Sequence, residues 1–246
     1  MASKILLDIK NVSFAYFGTI ALSHVSISFN KGDSFMLIGA NGSGKSTLLK
    51  LINGIIFPDE GSYFFDGNLV TKNTMKDRKF AGMLHKRIGF LFQNSENQLF
   101  CSNVYEEVAF GPRQLGLPEE EVEKRVYDCM NMLEITKIKH REPYHLSDGE
   151  KKRVALASVL AMNPEILTLD EPMNGLDPKS KRFIRELLIE LHKTGKTLIC
   201  ATHDFTYVDG IFSKAAVFSE NHNIVRKGKS EGILDDKNFL SFHNII

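Results

Sequence analysis

Gly39-Ala40-Asn41-Gly42-Ser43-Gly44-Lys45-Ser46 is the stretch that decides the fold. It matches the pattern GxxxxGK[ST] and lies between an apolar run, residues 35–38, and a segment of helical pattern that ends at Gly54. Glycines at these spacings let successive backbone N–H groups turn towards phosphate oxygens. A helix that begins at such a loop points its positive end at the same oxygens. The stretch therefore predicts strand, phosphate loop and helix in an α/β fold.

The residue types in this phosphate loop (residues 39–47) suit a nucleoside triphosphate. The Lys45 ammonium is expected to neutralise the β- and γ-phosphates, and the Ser46 hydroxyl to hold Mg²⁺. Backbone N–H groups supply the remaining donors. The predicted nucleotide-binding residues of the loop are Gly39, Asn41, Gly42, Ser43, Gly44, Lys45, Ser46 and Thr47.

A second apolar stretch, residues 166–169, runs directly into Asp170 and Glu171. A buried strand that ends in two acidic residues exposes them at the carboxyl edge of a parallel sheet, where ligands bind in open α/β folds. Taken alone, such a pair is equally typical of a helix N-terminus. Together with the phosphate loop, it predicts that Asp170 holds the metal through water and that Glu171 orients or deprotonates the attacking water.

The composition is that of an ordinary globular protein. The chain has 246 residues, 43% apolar and 25% charged, which excludes a disordered chain, a collagen-like fibre and a disulfide scaffold. Its 31 Lys and Arg against 30 Asp and Glu give a formal charge of +1, which argues against broad nucleic-acid binding. We therefore expect one focused anion site and no nucleic-acid partner.

Cysteine usage and hydropathy predict a chain in a reducing compartment. Cys101, Cys129 and Cys200 have neither the spacing of a disulfide framework nor that of a zinc site. The short apolar run near the N-terminus does not resemble a signal peptide. The longest nearly apolar stretch, residues 154–162, is far shorter than the roughly 20 residues of a membrane-spanning helix. We expect no membrane crossing by this chain itself.

Apolar periodicity predicts helices in the middle of the chain and strand–helix alternation after them. Pro118 followed by three glutamates is typical of a helix start, and another helix is expected from near Gly149. A mostly helical subdomain is therefore predicted at about 95–163. The alternation between residues 166 and 201 predicts a parallel sheet, whereas the tail after residue 218 has a less regular pattern.

Four further motifs narrow the family. Together with the phosphate loop they resemble the ABC-type ATPases. The signature motif corresponds to Leu146-Ser147-Asp148-Gly149-Glu150, and the D-loop corresponds to Asn174-Gly175-Leu176-Asp177. Gln93 is similar to the Q-loop glutamine, and His203 is similar to the switch histidine. Tyr16 is similar to the aromatic residue on which adenine stacks in this family; the alternative is that Tyr16 is a core aromatic residue, as Phe14 or Phe17 could be in its place.

The resemblance covers nearly the whole chain and implies its architecture. The expected fold is the ABC-type nucleotide-binding domain of the P-loop NTPases, with a RecA-like parallel-sheet core, an antiparallel β subdomain and an inserted α-helical subdomain. The core and β subdomain are expected at about 1–94 and 164–218, the helical subdomain at about 95–163, and a C-terminal extension at about 219–246.

The resemblance also implies ATP hydrolysis with Mg²⁺. Two copies are expected to face each other head to tail, so that Ser147 and Gly149 of one copy contact the γ-phosphate held by Lys45 of the other. The implied catalytic residues are Glu171, His203, Gln93 and Asp177, and the implied metal ligands are Ser46, Gln93 and Asp170.

Residues 93–100 and 108–112 resemble the ATPases of energy-coupling-factor importers, which include cobalt and nickel uptake systems. The resemblance implies a peripheral protein on the cytoplasmic face of the cell membrane, bound to an integral-membrane coupling subunit and a substrate-binding membrane subunit. The cargo would be cobalt, nickel or a vitamin. Leu99 and Phe100 are the expected anchors for a short partner helix, with Gln98 on the polar rim. Alternatively, both apolar residues pack inside the helical subdomain.

Departures from the family pattern leave several alternatives open. Asp148 stands where the signature usually has glycine and Glu150 where it usually has glutamine, so carboxylates lie near a γ-phosphate. A weak homodimer and a heterodimer with a second ATPase chain are both compatible with this. Other functions considered are a soluble ABC-type ATPase of DNA repair or translation, and a small-molecule kinase. The first usually has coiled-coil arms or two cassettes, and the second needs no signature motif.

Overall fold

The described part of the chain forms two sheets with helices packed between and around them. The computed structural model describes residues 4–205, 207–208 and 210–246. The strands are β1 Ile5–Tyr16, β2 Thr19–Asn30, β3 Ser34–Gly39, β4 Glu60–Phe65, β5 Asn68–Leu69, β6 Ile88–Leu91, β7 Ile166–Asp170, β8 Thr197–Ala201, β9 Lys214–Phe218 and β10 Ile224–Lys229. The α-helices are α1 Lys45–Ile52, α2 Arg78–Arg87, α3 Val104–Gln114, α4 Glu119–Met132, α5 Asp148–Ala161, α6 Pro178–Lys193, α7 Ser230–Leu234 and α8 Lys237–Phe242.

The central sheet has six strands in the order β10-β9-β3-β8-β7-β6. Its pairs are parallel except for β10, which runs antiparallel to β9. Alternate residues of β3 enter different cores, because Met36 and Ile38 face one side and Phe35 and Leu37 the other. The predicted parallel sheet, buried on both faces, is confirmed. The carboxyl ends of β3, β7 and β8 therefore meet at one edge.

A second, antiparallel sheet has the order β2-β1-β4-β5 and covers one side of α1. The sequence interpretation placed neither β1 nor β2. The structure shows why, because the register of β1 against β2 shifts between Ile9 and Val12 and again between Val12 and Phe14. Such irregularities interrupt the apolar–polar alternation that identifies a strand in sequence.

Helices α3, α4 and α5 pack together on the side of the central sheet that Met36 faces. The helical stripe predicted in α4 is confirmed, since Val122, Val126, Cys129 and Met130 are all buried. The division of the chain at residues 94–95 and 163–164 stays a prediction. None of the helices in the described ranges has both the length and the apolar character required to cross a membrane.

The C-terminal tail is more regular than its sequence indicated. Strand β10 extends the central sheet, and Ile233 and Leu240 of α7 and α8 are buried in the core. An ion pair between Arg226 Nη1 and Asp236 Oδ2, 2.7 Å apart, joins the strand to the start of α8. β10 was missed because it is an edge strand rich in lysine and arginine, a composition that protects sheet edges but hides them in sequence.

Candidate nucleotide site

The loop between β3 and α1 has the geometry of an anion site. Helix α1 begins after Gly44 without a side-chain cap, so its first-turn N–H groups have no partner within the helix. The buried Lys45 Nζ donates to Gly39 O at 2.7 Å and to Ala40 O at 2.9 Å. Ser43 Oγ is buried without a hydrogen-bond partner in the described structure. These uncommitted donors and the buried ammonium fit phosphate oxygens.

Gly44 is required by both its backbone conformation and its surroundings. Its φ is +109°, and a Cβ built there would lie 2.4 Å from the carbonyl oxygen of Ala21. We expect Gly44→Ala to lower the free energy of unfolding by at least about 2 kcal/mol, because conformational strain and a backbone clash add. Denaturant unfolding of the nucleotide-free protein measures this. The control is Gly67→Ala. Gly67 has a φ of +81° but open space around its Cβ position, so this substitution introduces backbone strain without a clash and should lower the free energy of unfolding by less.

Two of the predicted metal ligands lie in contact at the carboxyl edge of the sheet. Ser46 Oγ donates to Asp170 Oδ1 at 2.9 Å. Burial raises the pKa of Asp170, the hydrogen bond from Ser46 opposes this, and the charge of Glu171 raises the pKa further. A hydroxyl beside a buried carboxylate fits Mg²⁺, whose charge would favour the ionised carboxylate. Gln93, the third predicted ligand, makes no hydrogen bond to either residue among the described contacts.

Glu171 and His203 form the predicted catalytic pair. Glu171 follows β7 with a φ of +46°, and its backbone N–H donates to Ala201 O at 2.9 Å. His203 Nδ1 lies 2.7 Å from Glu171 Oε1. The glutamate side chain is 8% exposed and the histidine side chain 48% exposed. Since Glu171 Oε2 has no partner within the described residues, it is the oxygen left to accept a proton or a hydrogen bond from water.

The aromatic segment at the end of β1 presents three different environments. Phe14 packs on the core, and Tyr16 meets it edge-on with 4.8 Å between the ring centroids. Tyr16 is half-buried, and its hydroxyl has no partner in the described structure. Phe17 is fully exposed in a left-handed turn with a φ of +49°. Stacking of adenine on Tyr16 stays a prediction, with Phe17 as the freely accessible neighbour.

Ser147, Gly149 and Asp177 meet at a second place and line a cavity of about 440 Å³. Ser147 caps α5, and Asp177 caps α6 by accepting from the N–H groups of Lys179 and Ser180. These hydrogen bonds, with Ser180 contributing most, hold the pKa of Asp177 below its usual value. No described residue of the phosphate loop lines this cavity. The phosphate loop and the signature residues therefore lie at two separate places on the chain.

The structure gives the two departures in the signature motif different surroundings. Glu150 Oε2 accepts from Ser147 N at 2.9 Å and contacts Ser147 Oγ at 3.0 Å, while Oε1 pairs with Arg141 at 3.3 Å. Asp148 lines a neighbouring cavity together with Gln93, and does not line the one that Ser147 shares with Gly149. Pairing of one carboxylate and displacement of the other reduce the repulsion that the sequence predicted.

The basic run 151–153 does not form a solvated face of α5. Lys152 is 4% exposed, and its Nζ donates to Gln93 O at 2.8 Å. Lys151 pairs with Glu96, and Arg153 pairs with Glu134 at 2.8 Å. The sequence contained a signal for the burial of Lys152. This lysine shares a face of α5 with the apolar residues three, four and seven positions later.

Comparison with known proteins identifies relatives of this chain. The family model described as ABC transporter matches residues 22–174. A putative ABC transporter ATP-binding protein of Clostridium acetobutylicum is 58% identical over 98% of this chain and 100% of the relative. The nickel import ATP-binding protein LarO of Lactiplantibacillus plantarum is 45% identical over 89% and 91%. The energy-coupling factor transporter ATP-binding protein EcfA of Methanococcus maripaludis is 38% identical over 98% and 85%.

Solved structures share the fold. CbiO1 of Clostridium perfringens, part of the ABC transporter complex cbiONQ, superposes with a TM-score of 0.82 at 36% identity, over 98% of this chain and 95% of that chain. The ATP-binding cassette MJ0796, in a dimeric post-hydrolysis state bound to ADP and Pi, has a TM-score of 0.81 at 30% identity, over 91% and 98%. With the phosphate loop, the Glu171–His203 pair and the separate signature half-site, these matches show that the chain belongs to the ABC transporter family, as an ATP-binding subunit that hydrolyses ATP.

Proposed function

We propose that this chain powers an energy-coupling-factor type importer for a transition metal ion such as cobalt or nickel, or for a vitamin. The relatives named above, a nickel import ATPase and an energy-coupling factor ATPase among them, support that class. The observation that carries the proposal is an apolar groove of about 450 Å³ beside the loop that holds Gln93. Its apolar lining includes Ile88, Phe90, Phe92, Phe100, Phe110 and Val159.

Phe100 is the exposed feature of this groove. Its side chain is 67% exposed and meets Phe110, 42% exposed, edge-on with 4.9 Å between the ring centroids. The paired rings present apolar area that the chain itself does not bury, as is typical of a protein interface. Phe100 therefore keeps the role of anchor that the sequence predicted.

Leu99 and Gln98 differ from the sequence prediction. Leu99 is partly buried and packs against the core of the helical region, which fits the packing alternative for this residue and not for Phe100. The side chain of Gln98 makes hydrogen bonds within the chain instead of forming a polar rim. Its Oε1 accepts from Phe92 N at 3.2 Å, and its Nε2 donates to Ala155 O at 3.3 Å. The loop orientation that decides between an inward and an outward side chain depends on these contacts and not on local sequence.

Glu107 fixes the backbone of the loop that carries Phe100 and Cys101. This buried carboxylate accepts from Phe100 N at 2.9 Å and from Cys101 N at 2.8 Å, both through Oε2. A fixed loop presents Phe100 without loss of backbone entropy on binding. We propose that the occupant of the groove is a short amphipathic helix of an integral-membrane coupling subunit, which in turn contacts a substrate-binding membrane subunit. The chain would then lie peripherally on the cytoplasmic face of the membrane.

The proposed cycle joins two half-sites through ATP. When bound, Mg²⁺ held by Ser46, Asp170 and Gln93 would neutralise charge that develops on the transferred phosphoryl group. Lys45 and the loop N–H groups would bind the phosphates, and Glu171, oriented by His203, would accept the proton of the attacking water. Ser147 and Gly149 of a second copy, or of a related chain, would close the site over the γ-phosphate, with Asp177 beside them.

Phe100→Asp tests the groove. We expect it to reduce retention on inverted membrane vesicles from the source cells at least tenfold, because a charge replaces a central apolar anchor. Mg-ATP hydrolysis of the isolated chain should stay unchanged. The matched control is Phe242→Asp, an exposed aromatic on α8 outside the groove, and it should bind vesicles normally.

Binding to vesicles that contain a purified coupling protein, lost in Phe100→Asp alone, supports the importer. Equal retention of wild type and Phe100→Asp contradicts it. The alternative, a soluble ATPase of DNA repair or translation, predicts instead that nucleic acid stimulates ATP hydrolysis and that Phe100→Asp has no effect on membrane association.

A further inference from the structure

Two lysines in this structure are buried and held by backbone carbonyls instead of carboxylates. Lys45 is 6% exposed and donates to Gly39 O and Ala40 O. Lys152 is 4% exposed and donates to Gln93 O at 2.8 Å, with Phe92 O at 3.4 Å. Neither forms an ion pair with any described carboxylate. Since a buried ammonium normally has an anion beside it, two buried lysines bonded only to carbonyl oxygens among the described residues are unusual.

Lys152 lies beside Gln93, one of the residues predicted to act at the nucleotide. Burial, the largest effect, lowers its pKa to about 8, while the charges of Asp170 and Glu171 act in the opposite direction. Those carboxylates are the residues that act on Lys45 as well. Lys152 also lines the cavity of about 390 Å³ that contains Gln93 and Asp148. Lys152 and Gln93 therefore line one cavity and share a hydrogen bond, which places the ammonium of α5 at the backbone of the Q-loop.

Lys152 also lies in contact with one motif and on the helix that follows another, the Q-loop and the signature motif. Helix α5 starts at Ser147 of the signature motif and carries Lys152 in its second turn. The ammonium binds the carbonyl of Gln93, so the helix that begins at the signature motif is tied to the Q-loop of the same chain. Among the contacts that join α5 to residues 93–98, this is the one made to Gln93 itself.

We propose that Lys152 is a positioning residue that makes the site select ATP over ADP, by holding the backbone of Gln93 through its ammonium. The proposal rests on the assignment of Gln93 to the γ-phosphate side of the site. A lysine that served only the packing of α5 would affect both nucleotides equally, because they share the β-phosphate, ribose and base. The ratio of the two affinities is therefore the property that separates the two roles.

The test is fluorescence titration of Mg-ATP and Mg-ADP, with Glu171→Gln in every protein so that ATP is not consumed. Lys152→Met keeps the unbranched side chain up to the Cε position and removes the terminal ammonium with its charge and donors. We expect it to weaken ATP binding about tenfold or more and ADP binding by less than about twofold, since the charged hydrogen bond that holds the Gln93 backbone is lost. Lys152→Arg should restore most of the ATP preference.

The matched control is Lys151→Met, which removes the same charge one position earlier, where the side chain pairs with Glu96, and it should leave the ratio unchanged. Equal losses for ATP and ADP in Lys152→Met, or no loss, overturn the proposal. Should Lys152→Met fail to fold in thermal unfolding, Lys152→Gln supplies the same comparison. Gln93→Ala serves as the reference variant. If it changes the ATP preference and Lys152→Met does not, the result supports the role of Gln93 and contradicts the role proposed for Lys152.

Discussion

Glu171→Gln is expected to slow ATP hydrolysis by about 10²–10⁴-fold while ATP still binds, which corresponds to roughly 3–5 kcal/mol of barrier. The carboxylate lies at the end of β7, with Oε1 2.7 Å from His203 Nδ1. Glutamine has nearly the same shape and can keep the contact with His203, but it cannot accept a proton from water. The loss should therefore appear in kcat and not in nucleotide affinity.

The same substitution is expected to stabilise an ATP-bound dimer, because hydrolysis no longer removes the γ-phosphate that joins the two half-sites. Phosphate release and size-exclusion chromatography with Mg-ATP measure the two effects. Glu165→Gln is the control, since Glu165 lies at the opposite end of the same strand and pairs with Arg87; it should turn over normally. Near-normal turnover of Glu171→Gln would remove Glu171 from the catalytic role.

Lys45→Ala is expected to weaken Mg-ATP binding by about 100-fold or more, because charge-assisted hydrogen bonds to two phosphates are lost together. The nucleotide-free protein should nevertheless be as stable as wild type. Burial lowers the pKa of Lys45, against the opposing charges of Glu171 and Asp170. A lysine whose pKa falls on folding destabilises the native state at neutral pH, where it is protonated, so removing it carries no such cost.

Thermal unfolding with and without Mg-ATP measures both parts of this prediction. At 100 times its dissociation constant, ATP should add about 2.7 kcal/mol to the stability of the wild type and almost nothing to that of Lys45→Ala. Lys31→Ala, a lysine in the exposed turn before β3, should respond as wild type does. An unchanged ATP-dependent stabilisation of Lys45→Ala would contradict the assignment of the phosphate loop.

Local patterns in the sequence predicted a large part of this fold. The strand at 166–170, the helix at 119–132 and the loop at 39–47 were recognised because each consists of neighbouring residues whose conformation depends on near contacts. Strands β1 and β10 were missed for lack of such a local signal. β1 is interrupted by register shifts, and β10 is a basic edge strand that needs β9 to pair with.

Side-chain direction was the least predictable property of the site. Leu99 and Phe100 are adjacent and both apolar, yet one packs in the core and the other lines the groove. Lys151 and Lys152 are adjacent and both basic, yet only Lys152 is buried. In each pair the packing of distant elements decides which side chain turns inward, so composition and charge alone do not separate them.

The sequence by itself determined the phosphate loop, because glycine, lysine and serine at fixed short spacing dictate a backbone turn and its donors within one contiguous segment. Only the tertiary structure decided what that loop works with. It brings Asp170 to Ser46 across 124 positions and His203 to Glu171 across 32. It also brings the ammonium of Lys152 to the backbone carbonyl of Gln93 in the Q-loop. These contacts join the ends of parallel strands and a separate helix, and no local spacing encodes them because the sheet must form before they exist.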